Sequence, residues 1–164
     1  MKKTIRIKFF AVGGTIDKVY FDRLSDYKVG EPGCSEILQE ANVNFEYECD
    51  SILRKDSLNM TDKDRREVLD KVRADPARYI VITHGTDTMI DTAKILKTVP
   101  DKTIVLTGAM QPARFKSSDA EFNIGAAVAA VQLLPPGVYI AMNGRIFEPD
   151  KVRKNRKLNR FEEQ

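Results

Sequence analysis

The clearest pattern in the chain is a short β-branched apolar run at 80–83, which breaks at His84-Gly85 and resumes as an amphipathic helical pattern. This order is typical of a strand, a tight turn and a helix N-terminus. Thr86 and Asp87 lie at the junction. Because ligands of open α/β sheets bind outside the carboxyl ends of the strands, this pair is either a helix cap or part of a site.

Similar apolar runs and helical patterns alternate along the whole chain. We predict strands over 4–12, 43–49, 80–83, 102–107 and 138–142, and helices over 33–41, 61–74, 88–98 and 118–134. Thr61 is the predicted N-cap of the second helix, and Ser118-Asp119 that of the fourth. Asn143-Gly144 indicates a two-residue hairpin turn.

Strands that alternate with helices form βαβ units. We therefore expect a three-layer α/β fold with a mostly parallel open sheet and helices on both faces. Residues 17–32 sustain no period. They are predicted to form a long irregular loop, of the kind that often closes over a site.

Length and composition are those of an ordinary globular protein. The 164 residues, 42% hydrophobic and 31% charged, fit one domain over 1–164. Arg6 and Lys8 interrupt the N-terminal apolar run, and no stretch reaches the length of a membrane span, so we expect no signal peptide and no membrane partner. Cys34 and Cys49 lie far apart in a chain with one histidine, which argues against a zinc site or a disulfide framework. The expected protein is cytoplasmic and has no metal or cofactor.

Positive charge is concentrated at the C-terminus. Residues 151–164 hold six Lys or Arg and two Glu, a charge of +4, whereas the whole chain carries +3 and residues 1–150 sum to −1. We interpret this segment as a solvated basic tail, since no aromatic or fold motif for nucleic-acid binding accompanies the charge. Nucleic acid is therefore not an expected partner.

The ends of the predicted parallel strands gather hydroxyl groups, one carboxylate and one amine. They are Gly14-Thr15, Ser57, Thr86-Asp87, Gly108-Ala109 and Lys154. The glycine pair at 13–14 permits a close backbone approach, but the absence of GxGxxG argues against a dinucleotide site. An alkyl hydroxyl becomes a nucleophile only with a base, such as an amine or a phenol. His84, alone in its turn, is interpreted as structural.

Three separated segments resemble the L-asparaginase/glutaminase family: FAVGGTI at 10–16, HGTDTM at 84–89 and TGAMQP at 107–112. They occur in the family's order, and the resemblance runs through nearly the whole chain but covers only the family's N-terminal catalytic domain. It implies hydrolysis of the side-chain amide of L-asparagine through a threonine nucleophile and an acyl-enzyme. Because the second, smaller domain is missing, we expect a short form that assembles as a homo-oligomer.

The resemblance also implies roles for individual residues. Thr15 matches the hydroxyl that attacks the amide carbon, and Tyr27 the phenol that helps to remove its proton. Thr86, Asp87 and Lys154 match a second cluster of hydroxyl, carboxylate and amine. For Lys154 we favour an orienting or electrostatic role, or a shared-proton network, because a lysine acts as a base only when it is neutral. The implied substrate contacts are Gly14, Ser57, Leu58, Gly85 and Ala109.

Among these contacts, Ser57 matches the serine that holds the substrate α-carboxylate, and the Ala109 carbonyl is expected to accept from the scissile amide. Leu58 departs from the pattern, because the family usually has there a polar amide that helps to bind the α-amino group. Recognition of the ammonium is thus left mostly to Asp87. Three functions stay open: an asparaginase acting on a small amino-acid amide, a hydrolase of glutamine or another amide, and a non-catalytic amino-acid-binding or interaction module that uses the basic tail.

Overall fold

The alternating apolar runs fold into a central sheet with helices on both of its faces. The computed structural model describes residues 4–21 and 26–164. Its strands are β1 (Arg6–Gly13), β2 (Lys18–Phe21), β3 (Asp26–Val29), β4 (Glu46–Lys55), β5 (Tyr79–Thr83), β6 (Thr103–Thr107), β7 (Gly137–Met142), β8 (Arg145–Phe147), β9 (Val152–Asn155) and β10 (Arg160–Glu163). Its α-helices are α1 (Gly33–Glu40), α2 (Asp62–Ala74), α3 (Met89–Leu96) and α4 (Ala120–Leu133). Short 3-10 turns span Thr15–Asp17, Ser57–Asn59 and Pro149–Lys151.

The main sheet has the strand order β4-β1-β5-β6-β7-β8, and its neighbouring strands are parallel except for β7 and β8. Helices α2 and α3 bury residues such as Val68 and Leu96 on one face, whereas α1 and α4 bury Leu38 and Ile124 on the other. The predicted three-layer α/β fold is confirmed. In the part of the chain that the structure describes, no helix has the length and apolar character needed to cross a membrane.

Residues 17–32 contain a β-hairpin, so the predicted irregular loop is wrong. Strands β2 and β3 pair antiparallel, with Tyr20 opposite Tyr27, and Gly30 N closes the base of the hairpin by donating to Asp17 O at 2.7 Å. Residues 22–25, at its tip, lie outside the described residues. Both tyrosines of the central pair are exposed. The hairpin therefore lacks the apolar–polar alternation of a half-buried strand, which is why the sequence pattern did not predict it.

Helices α2 and α3 both start where they were predicted to start, one residue after Thr61 and Thr88, respectively. Thr61 and Asp64 form a capping box at α2, in which Asp64 N donates to Thr61 Oγ1 at 3.3 Å. The first residue of α3 is Met89, and its N-cap position is Thr88. The turn that includes Thr86 therefore precedes the helix, and the reading of that residue as a helix cap is wrong.

Asp119 is at the N-cap position of α4, as predicted, but its side chain does not cap that helix. Its carboxylate instead accepts from the backbone N–H groups of Met110 at 2.9 Å and Gln111 at 3.2 Å. Ser118 Oγ accepts from Ala120 N at 3.0 Å. Asp119 thus holds the loop that follows β6 against the start of α4.

Residues 151–164 fold as a second hairpin, so the interpretation of a solvated tail is wrong. Strands β9 and β10 pair antiparallel, and Phe161 is 2% exposed within the apolar cluster of the α2–α3 face. The backbone N–H of Phe161 donates to Asn143 Oδ1 at 2.7 Å. Asn143 and Gly144 form the predicted two-residue turn from β7 to β8, with φ values of 52° and 75°.

Phe161→Ala is expected to lower the free energy of unfolding by about 3–5 kcal/mol, because the truncation leaves a cavity in the core. Leu158→Ala is the matched control, since it removes an apolar side chain that is 57% exposed on the same hairpin and should change stability by about 0.5 kcal/mol or less. Urea denaturation followed by circular dichroism measures both. Equal unfolding midpoints for the two variants would show that the hairpin adds little to the core.

Candidate active site

Lys154 joins two consecutive residues of the turn after β5 into one polar cluster. Its Nζ donates to Thr86 Oγ1 at 2.8 Å and to Asp87 Oδ1 at 2.9 Å. The side chains of Lys154 and Asp87 are 14% and 27% exposed, so the cluster is largely shielded from water. Because the ammonium donates to the hydroxyl oxygen, the Thr86 O–H proton is left for another acceptor.

Glycine lets three loops meet at the carboxyl ends of β4, β1 and β5. Gly14 has a φ of 90°, and a Cβ atom there would lie 2.4 Å from Gly85 Cα. A Cβ atom on Gly85 would lie 2.5 Å from Ser57 Cβ. Since only residues without a side chain permit such an approach, the contact explains both glycines. It also brings together Gly14, Ser57 and Gly85, three of the predicted substrate contacts.

Thr15 and Thr86 lie on either side of this contact. Thr15 follows Gly14 and begins the 3-10 turn that continues β1, and Thr86 follows Gly85. Thr15 is half-buried, and Thr86 is 6% exposed. The fold therefore brings both predicted threonines to the same edge of the sheet.

Comparison with known proteins identifies the family. The family model described as "Asparaginase, N-terminal" matches residues 6–162. The chain belongs to the asparaginase family. It is 33% identical to L-asparaginase 2 from Escherichia coli (strain K12) over 166 residues, which cover 90% of this chain and 46% of that protein. It is 40% identical to glutaminase-asparaginase from Acinetobacter glutaminasificans over 107 residues, 60% of this chain and 32% of that protein. The chain thus spans less than half the length of these relatives.

Solved asparaginase structures share the fold. The thermostable L-asparaginase from Thermococcus kodakarensis superposes with a TM-score of 0.83 at 29% identity, covering 97% of this chain and 51% of that one. The probable cytoplasmic L-asparaginase from Campylobacter jejuni gives a TM-score of 0.81 at 30% identity, covering 98% of this chain and 53% of that one. Nearly all of this chain therefore corresponds to about half of each neighbour.

In this asparaginase-family domain, Ser57 and Leu58 have opposite surroundings. Ser57 is 1% exposed, and its backbone carbonyl accepts from Thr88 Oγ1 at 2.9 Å. Leu58 is 63% exposed, although its backbone N–H donates to Asp56 Oδ1 at 3.1 Å. The Asp56 carboxylate also pairs with Lys18 Nζ at 2.8 Å. The contacts of Ser57 and Asp56 thus hold the turn at Ser57–Asn59 in place, and the apolar side chain of Leu58 faces solvent.

The loop after β6 packs against the turn after β5. A Cβ atom on Gly108 would lie 2.3 Å from His84 O, so the two backbones touch. Asn123 Nδ2 donates to Gly108 O at 2.8 Å, which fixes this loop on α4. Ala109, the predicted acceptor for the scissile amide, is 1% exposed and packs on the α1–α4 face of the sheet.

Tyr27, the predicted phenol, lies on β3 and is 43% exposed. Its ring packs edge-on against Tyr20, at 5.5 Å between ring centroids, and against Phe115, at 5.9 Å. These contacts connect the β2–β3 hairpin to the loop that precedes α4. The structure therefore places Tyr27 in an aromatic contact between the hairpin and that loop.

His84 has the surroundings of a structural residue. It is 0% exposed, and its Nδ1 and Nε2 atoms lie 2.8 Å from Gly85 O and from Thr92 Oγ1, respectively. Burial lowers the pKa of His84 to about 4, so the ring is neutral at pH 7. Within residues 4–21 and 26–164, no group of three or more His, Cys, Asp or Glu side chains is arranged to hold a metal ion.

Asp17 is a buried carboxyl group next to the glycine loop, and the motif analysis missed it. It is 4% exposed, and its Oδ1 accepts from Gly33 N at 2.8 Å. Burial raises the pKa of Asp17 to about 7, although the bond from Gly33 opposes this shift. The carboxyl thus ties α1 to the turn that begins with Thr15. Nothing local in the sequence indicates its burial, since that depends on the packing of α1.

Arg156 is a second residue that the motif analysis missed. Its Nη2 lies 3.4 Å from Asp87 Oδ1, the same oxygen that accepts from Lys154. The Arg156 side chain is 69% exposed, at the turn between β9 and β10. The run of basic residues was visible in the sequence, but the hairpin that directs one of them to Asp87 was not predicted.

Asp17→Asn is expected to change how stability depends on pH. The folded-state pKa of Asp17, about 7, is above its ordinary value of 3.8, so the carboxyl stabilises the fold fully below about pH 4, and this contribution is lost as the pH rises to about 7. An amide does not titrate, so the variant should gain stability relative to the wild type over this range, on the order of 3 kcal/mol.

Urea denaturation at pH 4.5 and pH 8 measures this difference. Asp70→Asn, at an exposed position of α2, controls for the loss of one negative charge. A difference between Asp17→Asn and the wild type that is equal at the two pH values would contradict the buried, proton-binding carboxyl.

Proposed function

We propose that this domain carries the nucleophile side of an amidohydrolase site, which converts L-asparagine to L-aspartate and ammonia. The observation that carries the proposal is the pair of hydrogen bonds from Lys154 to Thr86 and Asp87, at the edge where the Gly14–Gly85 contact also places Thr15. The names of the relatives, L-asparaginase 2 and glutaminase-asparaginase, support this reaction class.

In the proposed reaction, Thr15 Oγ attacks the side-chain amide carbon and loses its proton with help from Tyr27. Backbone N–H groups in the turn before α3 are suitable donors for the oxyanion, and one such donor contributes about 2.7–4 kcal/mol in comparable sites. The C–N bond then breaks, and the proton removed from Thr15 passes to the leaving nitrogen, which departs as ammonia. Water hydrolyses the resulting ester and restores the threonine. Lys154 holds the Thr86 hydroxyl and the Asp87 carboxylate in place throughout.

A second candidate is the hydrolysis of an amide that has no free α-ammonium group. Two observations favour it. Leu58 offers no polar group, although it is 63% exposed beside the buried Ser57. Asp87, the expected partner of an ammonium, already contacts two cations, Lys154 at 2.9 Å and Arg156 at 3.4 Å. Glutamine hydrolysis remains part of the same proposal, because a relative is named glutaminase-asparaginase.

The proposal includes a cytoplasmic location and a homo-oligomer. The Campylobacter jejuni neighbour is titled cytoplasmic, whereas a Haemophilus influenzae relative is named a probable periplasmic L-asparaginase. Exposed apolar side chains on α4, Phe122 at 65% and Leu133 at 84%, are consistent with a further contact surface.

Thr15→Ala should abolish ammonia release from L-asparagine, a loss of about 10³-fold or more, because no other group replaces a nucleophile in its site. Thr15→Ser should retain part of the activity, since it keeps the hydroxyl. Thr4→Ala, which makes the same truncation at an exposed position, should behave as the wild type. A coupled ammonia assay at millimolar substrate measures all four proteins.

The amidohydrolase proposal is lost if the wild type releases no ammonia from asparagine, glutamine or an amide without an α-amino group. Binding of aspartate without turnover, unchanged by Thr15→Ala, would indicate the non-catalytic module instead. Equal rates for Thr15→Ala and Thr4→Ala would show that Thr15 is not the nucleophile, although the proposed hydrolysis itself would still stand.

Arg156→Ala should lower the KM for L-asparagine about two- to fivefold, because an exposed ion pair of this kind contributes roughly 0.2–1 kcal/mol and its loss frees Asp87 for the substrate ammonium. The KM for an amide without an α-amino group should not fall. Arg160→Ala, a 56% exposed position on the same hairpin whose ion pair is with Glu162, is the matched control. If Arg156→Ala changed both KM values equally, Asp87 would not be the ammonium partner.

A further inference from the structure

The fold brings the two cysteines into contact, although they are 15 positions apart in the sequence. Cys34 lies in the first turn of α1, and Cys49 lies on β4, the edge strand of the main sheet. Their Sγ atoms are 3.7 Å apart, and both are free thiols. A disulfide bond of about 2.05 Å requires them to approach further by somewhat less than 2 Å.

The two thiols have different surroundings, which sets the order of a reaction. Cys34 is 0% exposed, so a reagent in solution cannot reach it first. Cys49 is only partly buried and lies at the outer edge of the sheet. Hydrogen bonds from the Cys34 thiol and the Ser35 hydroxyl lower the pKa of Cys49, whereas the hydrogen bond to Cys49 and burial raise the pKa of Cys34. The accessible thiol is thus also the more nucleophilic one.

We propose that Cys34 and Cys49 form an oxidation site that reacts with a low-molecular-weight disulfide of the glutathione type to give an intramolecular disulfide. The Cys49 thiolate attacks one sulfur of the reagent, which forms a mixed disulfide and releases one thiolate. Cys34 then attacks Cys49 Sγ, which releases the second thiol and transfers the Cys34 proton to it. Two protein thiols are oxidised and one reagent disulfide is reduced to two thiols.

The disulfide would link two elements that border the candidate active site. On one side of the bond, Gly33 N, next to Cys34, donates to Asp17 Oδ1 at 2.8 Å. On the other side, β4 ends at Lys55, whose carbonyl accepts from Gly14 N at 2.9 Å. Both connections reach the loop of Thr15. The disulfide would therefore link the two segments that hold that loop. The proposed oxidation does not depend on which reaction the candidate site performs.

The wild-type chain, incubated in native buffer with glutathione disulfide, is expected to lose two hydrogens and to retain no glutathione, as measured by intact-mass spectrometry. Non-reducing digestion should yield one peptide pair that contains both cysteines, and dithiothreitol should reverse the change. The melting temperature of the oxidised protein should rise by about 5–10 °C, since the bond closes a loop of some 15 residues.

Single variants test the order of the steps. Cys34→Ser should keep a glutathione adduct on Cys49, because the second thiol is missing. Cys49→Ser should remain unmodified, because Cys34 is buried. Circular dichroism shows whether each variant is folded, and Cys34→Ala and Cys49→Ala replace either serine variant that is not.

Three results would overturn the proposal. The wild type could keep both thiols free while an accessible dithiol peptide in the same tube is oxidised. It could accumulate a stable glutathione adduct, which would show that Cys34 does not reach Cys49. It could form disulfide-linked dimers in place of the internal bond.

Discussion

The candidate site depends on one backbone contact, in which Gly14 and Gly85 approach each other at the ends of β1 and β5. A Cβ atom on Gly14 would come within 2.4 Å of Gly85 Cα, so any side chain would force the two loops apart. The residues after these glycines are Thr15 and Thr86. The backbone positions of these two threonines are therefore set by packing at the end of a parallel sheet, and such rigid elements suit a site that needs fixed geometry.

Lys154 reaches the same edge by a different route. It is 68 residues from Thr86 in the chain, and the strand that carries it belongs to a hairpin outside the main sheet. Phe161 anchors that hairpin in the core, and Asn143 Oδ1 accepts from its backbone N–H. A lysine on a free tail would lose backbone entropy as well as side-chain entropy on docking, whereas the backbone of a packed hairpin is already ordered. The folded C-terminal segment thus makes the polar cluster possible.

Most of the fold could be predicted from the sequence, because buried parallel strands and amphipathic helices leave strong periodic patterns. Both hairpins outside the main sheet were missed. Their strands have four residues each, and an apolar residue such as Phe161 is recognisable as core only once its partners are known. The roles of Asp17 and Arg156 were missed for the same reason, since burial by α1 and proximity to Asp87 are tertiary properties. The cysteines, judged too far apart, also meet only in three dimensions.

The cations around the Asp87 carboxylate bear on whether the candidate site could bind a substrate ammonium. A substrate ammonium would be the third cation at this carboxylate, after Lys154 and Arg156. The two present cations are not equivalent. Lys154 is 14% exposed and also bonds Thr86, so its removal would leave the partly shielded Asp87 with the longer contact to the exposed Arg156 and would take a donor from Thr86. Arg156 is 69% exposed, and water can replace its contact at a cost of roughly 1 kcal/mol or less. In the proposed reaction a free ammonium would therefore compete with Arg156 rather than with Lys154, so the exposed arginine would affect the affinity while the shielded lysine holds Thr86 in place.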